Sequence, residues 1–339
     1  MRAVIADRFD KDGKGLRVAE VEQPKLTAGE VLIDVSCSSI HPADAMMIAG
    51  VYDRGAVPPF RAGLSGVGRV VAAKGTVLGQ LLKGRRVVFA FPDKKFGAWA
   101  EQITTVPSLC APIPDDLDDA SAVNLLTNGA TAIGIAERLA AAGANGAVVT
   151  GAAGDFARLI RKRLHAQKRT VICVVRSDVQ AEALRQDGEM HVLNMMHNDF
   201  DEVLAETSAR LGVKGAVDSL AGDMPERLIR ALPIGSTVLM IGRLTGQPLT
   251  MDAMEALIAR DGTVQGFHVG HWFSDKSRLG ALKALREATT MLKQNPPPPP
   301  RHIFDLDELV ERFAETQSDT SMGKTIVQPG GVELLDSVS

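Results

Sequence analysis

A chain of 339 residues is long for one compact domain and comfortable for two, each able to bury a core of its own. Apolar residues make up 45% and charged residues 23%, with a formal net charge of -3, a balance that excludes a strongly polyanionic or polycationic partner and gives nucleic-acid binding no support. Charge returns soon after the N-terminus, at Asp7 and Arg8, and no run of about 18 apolar residues occurs, so neither a signal peptide nor a membrane span is expected and the cytoplasm is the default address.

Residues 1 to about 122 carry short apolar runs, Val31 to Val35 and Arg86 to Ala90 among them, separated by Pro58-Pro59 and by Gly63, Gly66, Gly68, Gly75 and Gly84. That punctuation predicts an all-β, barrel-like unit. From about Val123 an alanine-rich helical stretch leads into strand Gly146 to Thr150, helix Asp155 to Gln167 and strand Thr170 to Val175. Helix Asp178 to Arg185, strand His191 to Leu193, helix Phe200 to Leu211 and strand Gly215 to Leu220 follow. A helix from Pro225, strand Ser236 to Ile241, helix Met251 to Arg260 and strand Thr263 to Val269 close the series. Such alternation predicts right-handed crossovers onto one parallel sheet. A charged helix, Ser277 to Leu292, then runs into Pro296 to Pro300, a stiff polyproline spacer, and Leu306, Leu309, Val310 and Phe313 fall at helical spacing. Cys37, Cys110 and Cys173 form no CxxC pair and read as buried free thiols rather than as disulfide or zinc-knuckle partners.

The strand ending at Thr150 is followed by Gly151-Ala152-Ala153-Gly154-Asp155-Phe156-Ala157 and then a helix. A phosphate-binding turn needs that context. Gly151 permits the sharp turn, Gly154 the close approach of a pyrophosphate, and Ala157 lets helix lie on strand, with free N–H groups at the helix start for the phosphate. A tight turn with no ligand uses small residues equally well, and the alternating series around it shifts the balance towards binding. About 20 residues on, where an NAD enzyme places a carboxylate on the ribose, stand Arg176 and Ser177. A guanidinium there favours NADPH, because it pairs with the 2′-phosphate; the plain alternative is a solvated charge at a strand end. Asp155 complicates the site, since its carboxylate suits the helix dipole but lies near pyrophosphate charge.

Several further segments belong beside this turn: Ser38-Ser39-Ile40-His41-Pro42-Ala43-Asp44 running on to Gly50-Val51-Tyr52, Gly63 to Gly68, Lys83 to Val87, Phe96 to Glu101, Asn128-Gly129-Ala130-Thr131-Ala132, Gly266-Phe267-His268-Val269 and Gly323-Lys324-Thr325. With them the whole chain resembles the medium-chain dehydrogenase/reductase superfamily, in particular its zinc-independent quinone oxidoreductases and the related 2-enoyl thioester reductases. The resemblance implies an α/β fold in which a doubly wound Rossmann sheet (123–269) is inserted into a GroES-like β-barrel domain (1–122 and 270–339). It implies a homodimer joined through the Rossmann domains. It further implies that Thr131, Gly242, the backbone of Phe267, His268 and Val269, and Lys324 contact NADP(H), together with Gly151 to Ala157, Arg176 and Ser177. Relatives of the quinone type often carry Lys at Gln180 and Tyr at Met195, so Arg176 is left with most of the NADP preference.

Zinc-dependent relatives have cysteine where this chain has His41 and histidine where it has Leu64, and their four-cysteine lobe has no counterpart. Leucine cannot hold zinc and one histidine makes no tetrahedral site, so no metal is expected. Without a Lewis acid, hydride goes most readily to an acceptor already electrophilic, a quinone or α,β-unsaturated carbonyl. The candidate catalytic residues are Tyr52, Asp44 and His41. Tyr52 matches the proposed proton donor of enoyl thioester reductases, a phenol able to protonate an enolate, or else a ring that packs beside the nicotinamide. Asp44 orients its loop, and His41 stands where relatives usually carry Asn. Two alternatives accompany the quinone or enone reductase reading: a 2-enoyl thioester reductase, and an NADPH-binding protein of crystallin or scaffold type with little turnover.

Overall fold

The computed structural model describes residues 1–51, 56–90, 97–250, 252–317 and 323–330. The chain divides into two compact units, Asn128–Met291 and Met1–Thr127 with Leu292–Ser339. The return to the first unit therefore falls at Leu292 rather than at 270. Packing explains the difference: Trp272 of helix Val269–Ser274 is buried, donates its indole N–H to Glu137 at 3.0 Å, and lies against Gly134. The segment after the last strand thus stays with helix Ala130–Ala141.

In Asn128–Met291 the strands β1 (Gly146–Thr150), β2 (Thr170–Val175), β3 (Val192–Asn194), β4 (Gly215–Asp218), β5 (Thr237–Met240) and β6 (Thr263–Gly266) form one parallel sheet in the order β3-β2-β1-β4-β5-β6. This is the doubly wound Rossmann order, which reverses between β1 and β4. The strands are near-continuous apolar runs because both faces are covered. Val148, Ile172, Val174, Ala216 and Val238 pack with Phe200 and Leu204 of helix Phe200–Leu211 and with Leu228 and Ile229 of helix Met224–Ala231. Each buried Val, Ile, Leu or Phe side chain here contributes about 1.5–3 kcal/mol. Helix Asp155–Ala166 lies on β1 and β2 and buries Ala157, Leu159, Ile160 and Leu164 along one stripe. Its acidic first turn and its basic last turn, with Arg163 and His165, suit the helix dipole.

Two strands stop earlier than their apolar runs. β4 ends at Asp218, because the Asp218 carboxylate captures the N–H groups of Leu220 and Ala221 and bends the chain away. β6 ends at Gly266, because Phe267 directs its ring onto Gly134 and Val269 begins a helix.

The first unit is built on strand Val31–Ser39, whose Val31, Ile33 and Val35 point inward to Val70, Val87, Phe89 and Ile103. It pairs antiparallel with Ser65–Ala73, Gln102–Thr105 and the C-terminal strand Thr325–Val327. Strand His302–Phe304 and helix Leu306–Arg312 also return here, where Phe304, Leu306, Leu309 and Phe313 share a core with Trp99, Val4 and Ile48. A three-stranded sheet of Leu16–Glu20, Arg2–Ala6 and Phe60–Arg61 completes this GroES-like unit. Cys37 and Cys173 are buried free thiols, whereas Cys110 is half-buried.

One ionic cluster ties the helix Asp155–Ala166 to the turn before β3. Arg161, 2% exposed, pairs with Glu189 and stands 3.5 Å from Asp187, and His165 Nε2 lies 2.9 Å from Glu189. Burial alone would raise the Glu189 carboxyl, but His165 and Arg161 outweigh it and hold it at about 2. A depressed carboxyl contributes stability above its unfolded value and loses it as pH falls through the folded one. We therefore expect Glu189→Gln, which removes the buried carboxylate of Arg161 and leaves it only the half-exposed Asp187 at 3.5 Å, to cost up to about 3 kcal/mol at pH 7. In urea unfolding that deficit should shrink steadily as pH falls below about 4; a deficit independent of pH would contradict the ionic account.

Candidate active site

Two groups of the expected residues are brought together, one in each unit. At the carboxyl end of β1, Gly151 takes a left-handed φ of 59°, and a Cβ there would lie 2.8 Å from Ser219 Oγ. Ala152 donates its N–H to Val174 O and Gly154 donates to Gly151 O, so the turn is closed before the helix opens at Asp155. Ala153, Gly154 and Phe156 remain half-buried, and Ala157 is packed onto the sheet. The helix thus starts where the strand order reverses, the expected place for a dinucleotide pyrophosphate. The Asp155 carboxylate accepts from Arg158 at 3.1 Å, an ion pair that offsets the charge it would present to phosphate.

The turn's position is held by side chains that the sequence did not mark. Thr150 Oγ1 donates to Asp218 Oδ1 at 2.7 Å, Ser219 N–H donates to Thr150 Oγ1, and Ser219 Oγ donates to Thr150 O. Asp218 is fully buried, and burial raises its carboxyl against the pull of these hydrogen bonds. Only its place at the end of a strand hints at this role.

Arg176 is exposed directly after β2, its N–H donating to Gln180 Oε1, while Ser177 caps the next helix by accepting from Gln180 N–H. Gly242, just beyond β5, lies against Ser219. Phe267 donates its N–H to Met240 O, His268 is exposed and Val269 is buried. Phe267 and His268 border a cavity of about 380 Å³ with Arg138, Gln265 and His271. Thr131 is buried in helix Ala130–Ala141.

In the first unit the strand Val31–Ser39 delivers Ser39 and, past Ile40, His41. Pro42 then starts helix Pro42–Ile48, in which Asp44 is fully buried. Its two carboxylate oxygens are taken by the N–H groups of His41 and Leu64, each at 2.8 Å. Burial pushes the Asp44 carboxyl up to about 7, against those N–H groups and the Lys324 charge. His41 lies between Ser39 Oγ, 2.8 Å from Nε2, and Lys324 Nζ, 3.1 Å from Nδ1. Burial, then Lys324, lowers the imidazole well below its ordinary range. Ser39 was not singled out in the sequence, although its place two residues before His41 on a strand exit was a usable signal. Tyr52 lies outside the described residues.

Comparison with known proteins covers most of the chain. The alcohol dehydrogenase GroES-like domain profile matches residues 27–115 and the zinc-binding dehydrogenase profile residues 154–285. Prostaglandin reductase-3 of Mus musculus is 26% identical over 313 residues, 88% of this chain and 81% of its own length. A Mesorhizobium loti structure assigned as an NADPH:quinone reductase superposes with a TM-score of 0.87 at 25% identity, covering 97% of this chain and 98% of that one. The Escherichia coli quinone oxidoreductase complexed with NADPH superposes at 0.80 with 17% identity, covering 97% of this chain and all (100%) of its own.

The residues present do not fit the zinc named in one of those profiles. The buried side chain of Leu64 offers no ligand atom, and both ring nitrogens of His41 are engaged, one by an ammonium that would repel a dication. Among the described residues no group of three His, Cys, Asp or Glu side chains could hold a metal.

Asp44 offers a test of this site's electrostatics. A carboxyl raised on folding favours the folded state below its unfolded value and loses that contribution as pH rises through about 7. The stability of the wild type relative to Asp44→Asn should thus decline between pH 5 and pH 8, by at most about 1.4 kcal/mol per pH unit. Unfolding curves across that range whose difference stays constant would show that Asp44 titrates as an ordinary carboxylate.

Proposed function

The chain belongs to the medium-chain dehydrogenase/reductase superfamily, and within it we propose that the protein is an NADPH-dependent, zinc-independent reductase of quinones or α,β-unsaturated carbonyls. One observation carries this reading: the Gly151–Ala157 turn opens a helix at the switch point of a Rossmann sheet, with the exposed Arg176 at the end of the neighbouring strand. The N–H groups of Asp155, Phe156 and Ala157 would hold the pyrophosphate, and Arg176 would pair with the 2′-phosphate. Bound there, the reduced nicotinamide supplies hydride.

The acceptor class follows from the donor set around His41. With Leu64 and a lysine-bound imidazole in place of zinc ligands, no Lewis acid polarises a plain ketone, so the acceptor must itself be electron-poor. Prostaglandin reductase-3 and the quinone reductases among the relatives agree with that class. A homodimer joined through the Rossmann units is also proposed. β6 is the outermost strand of its sheet, and Thr263, Gln265 and Gly266 on it are exposed, which leaves an edge that a second copy can pair. No helix among the described residues is long and apolar enough to cross a membrane.

Titration with both cofactors tests the central claim. Arg176→Ala should cost about 1.5–3 kcal/mol of NADPH affinity, roughly a 10- to 150-fold rise in Kd, and leave NADH binding unchanged. Equal affinity of the wild type for NADPH and NADH would overturn the cofactor assignment. Exhaustive chelation should leave turnover of quinones and enones intact, and a stoichiometric metal whose removal abolishes it would overturn the acceptor class as well.

A further inference from the structure

Two residues beyond Arg176 stands a carboxylate, Asp178, of the kind that an NAD enzyme places on the ribose hydroxyls. Ser177 between them is extended, with φ -154° and ψ 156°. The side chains of Arg176 and Asp178 therefore leave the chain on the same side, about 7 Å apart. A guanidinium spans that distance easily. Left to itself, Asp178 would either pair with Arg176 or stand in the site as a like charge, and both outcomes work against a 2′-phosphate.

The carboxylate does neither. Asp178 Oδ1 accepts from Asn194 Nδ2 at 2.9 Å and lies 3.0 Å from His197 Nε2. Both groups come from the turn that follows β3: Asn194 is the last residue of that strand, His197 donates its N–H to Asn194 O, and Asn194 Oδ1 accepts the N–H of Met196. Asn194 is buried, so its amide is fixed and the carboxylate is drawn across to the neighbouring strand exit. Hydrogen bonds from Asn194, then from His197, hold the Asp178 carboxyl below its ordinary range. The pair with His197 is exposed and adds little stability. Its consequence is directional. Among the described residues nothing engages the Arg176 guanidinium, and its backbone N–H alone is held, by Gln180 Oε1.

Resting on the NADPH reading above, we propose that His197 and Asn194 are positioning residues for cofactor choice. By engaging Asp178 they withdraw a carboxylate that would otherwise neutralise Arg176 or accept from the ribose hydroxyls of NADH, and they leave the guanidinium for the 2′-phosphate. Preference for NADPH then depends on where Asp178 points as well as on Arg176. His197 and Asn194 act through Asp178.

Titration with NADPH and NADH at fixed ionic strength tests this. His197→Leu, a change at an exposed position, should raise the NADPH Kd about three- to tenfold and leave NADH binding unchanged or tighter. Asn194→Ala should act in the same direction. Asp178→Asn should bind NADPH at least as tightly as the wild type, and in that background His197→Leu should lose its effect. Unchanged NADPH affinity in His197→Leu, or equal losses for the two cofactors, would overturn the proposal. So would an effect of His197→Leu that persists in Asp178→Asn, because His197 would then touch the cofactor itself. A wild type that binds NADPH and NADH equally would overturn the cofactor reading instead. The contact is read separately, in imidazole ¹⁵N spectra of the cofactor-free protein: the Nε2 resonance of His197 should move on Asp178→Asn, and a resonance that stays in place would overturn the proposal whatever the cofactor.

Discussion

Asp218 is a carboxylate with no exposure to solvent, and a buried charge of this kind persists only if its oxygens are hydrogen-bonded. Its partners are the Thr150 hydroxyl and the N–H groups of Leu220 and Ala221, so satisfying it joins the carboxyl ends of β1 and β4. Those are the two strands between which the sheet order reverses. With Ser219 bonded to Thr150 through both its N–H and its hydroxyl, the exit of β1 has one available path, and Gly151 must take it in the left-handed region. The helix that opens at Asp155 follows directly from that turn.

The other unit meets the same requirement with different groups. Asp44 is a second buried carboxylate, and its two backbone donors come from the strand exit at His41 and from Leu64. This binds a short helix to the loop after strand Phe60–Arg61 and fixes His41 as its first flanking residue. Ser39 then selects one imidazole nitrogen and Lys324 the other. Hydrogen-bond satisfaction in a region of low dielectric thus orients the imidazole between a hydroxyl and an ammonium.

Ionisation is distributed unequally between support and site. The Arg161, Glu189 and His165 cluster holds a carboxyl far down and acts as a fastening within the sheet unit. Asp44 and Asp218 are pushed the opposite way by burial. The two carboxyls raised by burial lie where function is proposed, in keeping with the general clustering of perturbed carboxyls at functional sites.

Much of the architecture was legible in the sequence because it rests on local patterns. Apolar runs of strand length between amphipathic helices specify a covered parallel sheet, and glycines after Thr150 specify a turn, whatever the rest of the chain does. Arg176 could be found by its distance from that turn. Other features depend on partners remote in sequence and were invisible: Thr150 meets Asp218, His41 meets Lys324, and Phe267 meets Gly134 only after folding. The ends of β4 and β6 moved for this reason, as side-chain capture and aromatic packing overrode strand propensity. The sequence by itself therefore determined the fold class and the location of the glycine turn after Thr150, whose physics is the periodicity and flexibility of neighbouring residues. The tertiary structure alone decided which carboxylates are buried and which groups orient the His41 imidazole, because those follow from desolvation and hydrogen bonding among groups that the chain brings together from far apart.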